Sequence, residues 1–313
     1  MIDLFYFDKT LKKGNITDLK KLRENKIWLD ITDISSEESK FLLEEFNLHP
    51  LTVEDLIGPN TRIKVEEFSE YLFSVFYGIK KEKSIELQEL DFILGKNFII
   101  SNHRGEIVTF THLKNNSEKL SLLFGRGVDF IFHHLLDNEI DHFFPVLEDI
   151  DDKIELIEEE VAKKIRPELL RGIFKIKQKI VIIKKFALPQ REKISFLAKN
   201  EYKFISKKAI PYFRDIYDHA IRVSDSIDNY REEISGTFDA YMSAVSNNTN
   251  EVMKTLSIIA TIALPLGVIS GIYGTNFDIL PGQHIPYGFW MMLGGMFLVI
   301  GTMVLLFRRR GWF

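Results

Sequence analysis

Residues Thr255-Leu256-Ser257-Ile258-Ile259-Ala260-Thr261-Ile262-Ala263-Leu264-Pro265-Leu266-Gly267-Val268-Ile269-Ser270-Gly271-Ile272 lead into Tyr273-Gly274-Thr275-Asn276-Phe277, and a second apolar run follows from Tyr287 to Phe307. Neither apolar run contains Asp, Glu, Lys, Arg or His. Each approaches the roughly 20 residues needed to cross ~30 Å of hydrocarbon at 1.5 Å per residue. Two such runs around one short link predict a transmembrane hairpin. The plainer reading, a pair of core helices in a large soluble protein, does not account for two uncharged runs so close together.

The flanks orient the hairpin. Lys254 precedes the first run and Arg308-Arg309-Arg310 follow the second, whereas the link from Tyr273 to Pro286 holds no Lys or Arg and one acid, Asp278. The positive-inside rule therefore predicts a multi-pass protein of the inner (plasma) membrane, with both termini cytoplasmic and the link outside. Trp290 and Trp312 suit the two interfaces.

Ahead of the hairpin the chain is charged. Its 313 residues carry 41 Lys and Arg against 45 Asp and Glu, for a net charge of -4. That balance gives no basic surface for nucleic acid, and none is expected as a partner. With no cysteine, disulfides, thiolate metal sites and cysteine nucleophiles are excluded, consistent with a reducing compartment. Met1 to Phe7 runs into Asp8, Lys9, Lys12 and Lys13 rather than a sustained apolar segment, so no signal peptide is expected and the large domain should stay in the cytoplasm.

Residues 1–125 read as an α/β domain within an overall α+β cytoplasmic part. Strand-like runs occur at Ile27–Ile31, Tyr71–Tyr77, Leu90–Leu94 and Asn97–Ser101, with a helix predicted from Ser36 to Phe46 and capped by Ser35 or Ser36. Residues 126–209 read as helical and highly charged. Eight carboxylates fall between Glu148 and Glu160, while Val146, Ile150, Ile154, Ile157 and Val161 recur every three or four residues. One face can therefore pack while the acids meet water or act as a reservoir for divalent cations. Pro167 and Pro189 are expected helix boundaries. From about Ile210 one helix is expected to run through residues 210–254 as a stalk and 255–273 as the first span, about 90 Å for roughly 60 residues. Residues 274–286 form the outer loop, 287–307 the second span and 308–313 a basic tail.

Along that long helix Asn250, Met253, Leu256, Ala260, Leu264, Gly267 and Gly271 follow at steps of three or four, which keeps them on one face. A stripe with an amide at one end, apolar side chains between and glycines at the other suits a channel whose constrictions close by dewetting. The glycines can equally serve close helix contact, and both readings can hold together. Two spans cannot enclose an aqueous path, so transport would require several copies.

The segment from Ser246-Asn247-Asn248-Thr249-Asn250 through Gly271-Ile272-Tyr273-Gly274-Thr275-Asn276-Phe277 resembles the CorA family of magnesium and cobalt transporters, whose signature is Gly-Met-Asn after the first of two C-terminal spans. The likeness extends to Pro211-Tyr212-Phe213-Arg214-Asp215-Ile216-Tyr217-Asp218-His219 and to His49-Pro50-Leu51-Thr52-Val53-Glu54-Asp55. The resemblance implies a funnel-shaped homopentamer in a lipid bilayer that admits Mg²⁺ or Co²⁺ down the electrochemical gradient. It implies a selectivity filter of Gly274, Thr275 and Asn276, with Asn276 holding the hydrated ion. Asp239 and Asn250 would lie on the cytoplasmic pore and its mouth, and Leu256 and Leu264 would form gate rings. Glu54 and Asp55, with Asp215 of a neighbouring copy, would bind regulatory Mg²⁺. Two positions depart from the pattern: Thr275 replaces the signature methionine, and Gly282 stands where many relatives have an acid, leaving Asp278 at the outer mouth.

The chemistry is consistent with that expectation. Mg²⁺ sheds water reluctantly, and an uncharged amide ring can hold its hydration shell without trapping it. No Gly-rich loop ending in Lys-Ser/Thr is present, so no nucleotide is expected. The alternatives are a Zn²⁺, Co²⁺ or Ni²⁺ transporter of the same architecture, with or without proton coupling, and a membrane-tethered sensor or enzyme that conducts nothing. Against the last, Asp151-Asp152 point in different directions on a helix and no nucleophile accompanies them. His133, His134, His142 and His219 form no repeated ligand motif and read as structural.

Overall fold

The computed structural model describes residues 1–59, 61–81, 85–276, 280–282 and 284–312. The chain divides into two compact units, one of residues 1–160 with 166–237 and one of residues 161–165 with 238–313.

The first unit is built on a seven-stranded sheet. Its strands are β1 (Ile2–Asp8), β2 (Thr10–Gly14), β3 (Lys26–Thr32), β4 (Lys64–Glu67), β5 (Tyr71–Lys81), β6 (Ile85–Gly95) and β7 (Phe98–His103), in the order β2-β1-β3-β7-β6-β5-β4. Every neighbouring pair is antiparallel except β3 with β7. Ile27 to Ile31 are all buried, as a central strand covered on both faces should be. All four expected strand runs are present. The β1–β2 hairpin, closed by Lys9 at φ 59°, lies in the segment weighed above only as a signal peptide.

Helices α1 (Ser36–Phe46) and α2 (Pro50–Ile57) follow β3. The Ser35 hydroxyl accepts from the Glu38 N–H while the Glu38 carboxylate accepts from the Ser35 N–H, a reciprocal cap that satisfies two free donors. Asn47, in the left-handed region at φ 49°, ends α1. In α2, His49 is the N-cap, its Nδ1 accepting from the Leu51 N–H at 3.2 Å, and Pro50 fills a first-turn position that needs no N–H.

Helices α3 (Val108–Asn115), α4 (Ser117–Arg126) and α5 (Val128–Asp141) come next, and α5 packs on the sheet, with Phe132 against Phe76 and Phe92. Full burial of such a side chain is worth roughly 1.5–3 kcal/mol. A polar cluster crosses this core. Asp30 accepts from the Ser101 hydroxyl at 2.6 Å, Lys114 Nζ reaches Asp30 at 2.8 Å and Asp3 at 3.2 Å, and the Trp28 indole donates to Ser101 at 2.9 Å. Burial alone would raise the Asp30 pKa, but the hydrogen bonds and charges of His103 and Lys114 outweigh it and hold Asp30 below its ordinary value.

The charged helical part contains α6 (Phe143–Lys163) and α7 (Pro167–Lys199). On α6, Val146, Ile150, Ile154 and Val161 are buried, and Ile157 is partly so. Pro167 opens α7 as expected, but Pro189 lies inside it and ends nothing. An interior proline costs about 3 kcal/mol through a lost hydrogen bond and a ring clash. Here the helix continues because Ile180, Ile183, Ala187, Gln190, Ile194 and Leu197 are buried along it, and the Gln190 side chain accepts from the Tyr77 N–H at 2.6 Å.

Helix α8 (Ile210–Tyr273) is continuous for 64 residues, with Pro211 in its first turn and Pro265 in its interior. Its early part buries Phe213, Ile216, Ala220, Val223, Ile227 and Ile234 in the first unit. The later part, in the second unit, is followed by α9 (Gly288–Arg309). Both α8 and α9 contain segments long and apolar enough to cross a membrane, and those segments are almost wholly exposed.

Candidate functional site

Along the second-unit part of α8 the expected stripe is exposed. Leu264 is 73% and Leu256 59% accessible, and Asn250, Met253, Ala260, Gly267 and Gly271 are exposed as well. Ile258 is buried and Ile262, Leu266 and Ile269 are half-buried, so the helix has an inner face and an open one. Asp239 stands eleven residues, about three turns, before Asn250 on the same exposed face. Ser243 and Ser246 fall between them at helical spacing and are exposed too. The periodicity used for the apolar half would have found these two hydroxyls.

The signature segment begins where α8 ends. The Gly274 N–H donates to the Ser270 carbonyl at 2.9 Å, and a Cβ at this position would sit 3.1 Å from that oxygen. Thr275 donates its hydroxyl to the Ile272 carbonyl at 2.7 Å. The same carbonyl also accepts from the Thr275 N–H at 3.3 Å, so the hydroxyl adds a second donor at the helix C-terminus that a methionine side chain lacks. The Tyr273 hydroxyl donates to the Pro281 carbonyl at 2.8 Å and ties the link back to the helix end. Asn276 is exposed. Asp278, expected at the outer mouth, lies outside the described residues.

The acids expected to bind a regulatory ion lie on two elements of the first unit. On α2, Glu54 is exposed and Asp55 half-buried. Lys64 makes an ion pair with Asp55 and lies 3.4 Å from Glu66. Burial opposes the charge on Lys64, but the Asp55 hydrogen bond and charge, with help from Glu66, raise its pKa above the ordinary value. On α8, Asp215 is exposed and lies 4.0 Å from His219 Nε2.

A grouping the sequence reading missed surrounds His219. Asp137 and Asp141, one turn apart on α5, and His219 bring one ligand atom each within 4.8 Å of one another, the one such three-residue group among the described residues. His219 Nδ1 is 2.6 Å from Asp141. Asp137 Oδ1 is buried without a hydrogen-bond partner. Burial first, and then the Asp141 charge, push the Asp137 pKa up to about 6. Two carboxylates and an imidazole with an unsatisfied buried oxygen make a donor set that a divalent cation fits. His133 packs edge-on to the Tyr212 and Phe213 rings, its Nε2 is buried without a hydrogen-bond partner, and its pKa is lowered mainly by burial. The carboxylates from Glu148 to Glu160 form no comparable group among the described residues. They lie mostly in solvent, with Asp149 paired to Lys153, Glu160 to Arg166, and Glu158 accepting from Thr237.

Comparisons with known proteins agree with this architecture. The family model described as CorA-like Mg²⁺ transporter protein matches residues 24–309. The cobalt/magnesium transport protein CorA of Thermotoga maritima is 35% identical over 295 residues, covering 91% of this chain and 83% of that protein. A putative metal ion transporter of Bacillus subtilis, YfjQ, is 29% identical over 286 residues, covering 91% and 89%. The complete structure of the CorA magnesium transporter from Methanocaldococcus jannaschii superposes with a TM-score of 0.88 at 23% identity, over 100% of this chain and 99% of that one. With a sheet domain, a long helix and two apolar C-terminal helices, the chain belongs to the CorA-like Mg²⁺ transporter family, whose members are transporters rather than enzymes.

Proposed function

We propose that this chain is one fifth of a homopentameric channel in the plasma membrane that admits Mg²⁺, and also Co²⁺, into the cytoplasm down the electrochemical gradient. The observation that carries this reading is the continuous exposed stripe on α8, from Asp239 through Asn250, Leu256 and Leu264 to Gly271. Helices turned to a common axis would convert that stripe into a conduit, with polar rings at the cytoplasmic end and apolar gates at Leu256 and Leu264. Gly274, Thr275 and Asn276 form the entrance, Asn276 holding the ion's water shell through its amide. Asp278 supplies a ring of negative charge at the mouth. At about 2.3 kcal/mol per charge per 100 mV, a divalent ion gains roughly 4.6 kcal/mol on entry, so nucleotide hydrolysis is not needed.

Regulation follows from the acids of the first unit. Glu54 and Asp55 of one protomer face Asp215 of the next, and bound Mg²⁺ relieves their repulsion and favours the closed ring. Asp137, Asp141 and His219 extend that site on the Asp215 side. When internal Mg²⁺ falls, the repulsion between Asp215 and the α2 acids returns, offset only in part by Lys64 beside Asp55, and the ring loosens.

The test is ion flux in proteoliposomes loaded with a Mg²⁺-sensitive dye, with Zn²⁺, Co²⁺ and Ni²⁺ as competitors. Mg²⁺ entry driven by potential alone, and blocked competitively by Co²⁺, is expected. Entry of Zn²⁺ without Mg²⁺, or entry that requires a proton gradient, defeats the proposal.

A further inference from the structure

One end of the apolar hairpin carries charge that nothing described answers. Arg308, Arg309 and Arg310 are exposed, and no described residue pairs with their guanidinium groups. Immediately after them Gly311, at φ 69° in the left-handed region, turns the chain back. The Trp312 N–H then donates to the Phe307 carbonyl at 3.0 Å, and the Trp312 ring stacks on Phe307 with centroids 5.4 Å apart. Lys254 on α8 meets this turn. Its Nζ lies 3.3 Å from the Gly311 carbonyl and 6.0 Å from the centre of the Trp312 ring. Three consecutive arginines thus stand at the end of α9, beside a turn that brings Lys254 and the Trp312 indole together where both apolar segments end. The nearest acid on α8, Glu251, lies three residues before Lys254 and on the side away from the apolar segment.

We propose that this cluster is a binding site for the headgroup of an anionic phospholipid. The site lies where two spans leave the hydrocarbon, which is the depth of lipid phosphates. Guanidinium groups match a phosphodiester through paired N–H donors, and an indole rests at the same depth. The Gly311 turn gives the site its shape by fixing Trp312 beside Lys254 instead of leaving a loose basic tail. The inference goes beyond conduction and rests only on the two helices spanning a bilayer.

The experiment uses the full chain carrying Trp290→Phe in phosphatidylcholine vesicles. Trp28 is fully buried in the sheet domain, so Trp312 is then the tryptophan open to lipid. Phosphatidylglycerol or phosphatidylcholine bearing a nitroxide near the headgroup is titrated in, and tryptophan quenching reads local occupancy. Phosphatidylglycerol should be preferred by about three- to tenfold, the preference for a few clustered cations near a membrane surface. It should fall to parity in Arg308→Gln/Arg309→Gln/Arg310→Gln. If that triple variant fails to insert, Arg309→Gln/Arg310→Gln, which keeps Arg308 and Lys254, should still lose most of the preference. Equal quenching by the two lipids in the parent, or an undiminished preference in the variants, overturns the proposal. So does loss of the preference on adding inorganic phosphate at matched ionic strength, which would make this a site for the free anion.

Discussion

The sheet domain and the apolar hairpin handle apolar surface in opposite ways. In the first, Trp28, Phe73, Phe76, Phe92 and Phe132 are wholly withdrawn from solvent, and even the charged Asp30 is buried among its partners. In the second, Leu264, Phe297 and Leu298 are each about 70% exposed, and α9 buries no residue at all. One region completes itself. The other is a set of bare apolar surfaces that suits the interior of a membrane, because apolar patches of this extent are not left exposed to water. Stability should therefore be set in the sheet domain and conduction in the hairpin, and substitutions should separate the two.

The largest expected effect is on stability. Asp30→Asn removes the buried negative charge that His103 and Lys114 face, leaving Lys114 only Asp3, and should cost about 3 kcal/mol in denaturant unfolding of the purified protein. A loss below about 1 kcal/mol would mean that the cluster is not what holds β1, β3, β7 and α3 together. Next comes the filter. Asn276→Ala removes the amides proposed to hold the hydrated ion, at about 1–3 kcal/mol for an unmade hydrogen bond, so Mg²⁺ flux should fall by about ten- to 100-fold. Assembly and unfolding midpoint should stay as in the parent. A midpoint that falls with the flux would break the division between the regions.

Smaller effects are expected where the sheet domain would speak to the pore. Asp55→Ala with Asp215→Ala should weaken the inhibition of uptake by internal Mg²⁺, raising the half-inhibiting concentration by about tenfold, a change of about 1.4 kcal/mol. Unchanged inhibition would remove both acids from the regulatory role. The smallest effect belongs to Asp137. Its folded pKa of about 6 lies above the ordinary 3.8, so the folded state holds the proton more tightly than the unfolded one. Asp137 therefore contributes stability to the metal-free protein that is fully present below about pH 4 and is lost as pH rises to about 6. The loss should be about 1 kcal/mol after allowance for its partial exposure. Asp137→Asn should remove that slope, and saturating Mg²⁺ should remove it in the parent.

Local signals were legible and distant ones were not. The long helix from Ile210 to Tyr273 and the Ser36–Phe46 helix match their expected ends, because proline, cap residues and hydrophobic period all act within a few positions. Pro189 misled because a proline's local penalty can be outweighed by a buried face supplied by other elements, which a linear reading does not weigh. His219 read as an isolated histidine because its partner Asp141 lies 78 positions away. Thr275 stood out as a departure from the family pattern, yet its bond to the Ile272 carbonyl emerges only once the helix end is in place.

The parallel pairing of β3 with β7 also bears on how the protein reaches its native state. The meander from β4 to β7 closes through near neighbours, and β1 with β2 is a tight hairpin. Asp30 and Ser101, by contrast, meet across 71 positions. Closing so long a loop is paid in entropy before any contact rewards it, so this junction should form late. Conservative changes at Asp30 or Ser101 should then quicken unfolding far more than they slow refolding. The polar cluster in the middle of the sheet would act as a latch that shuts after the rest of the domain has collapsed.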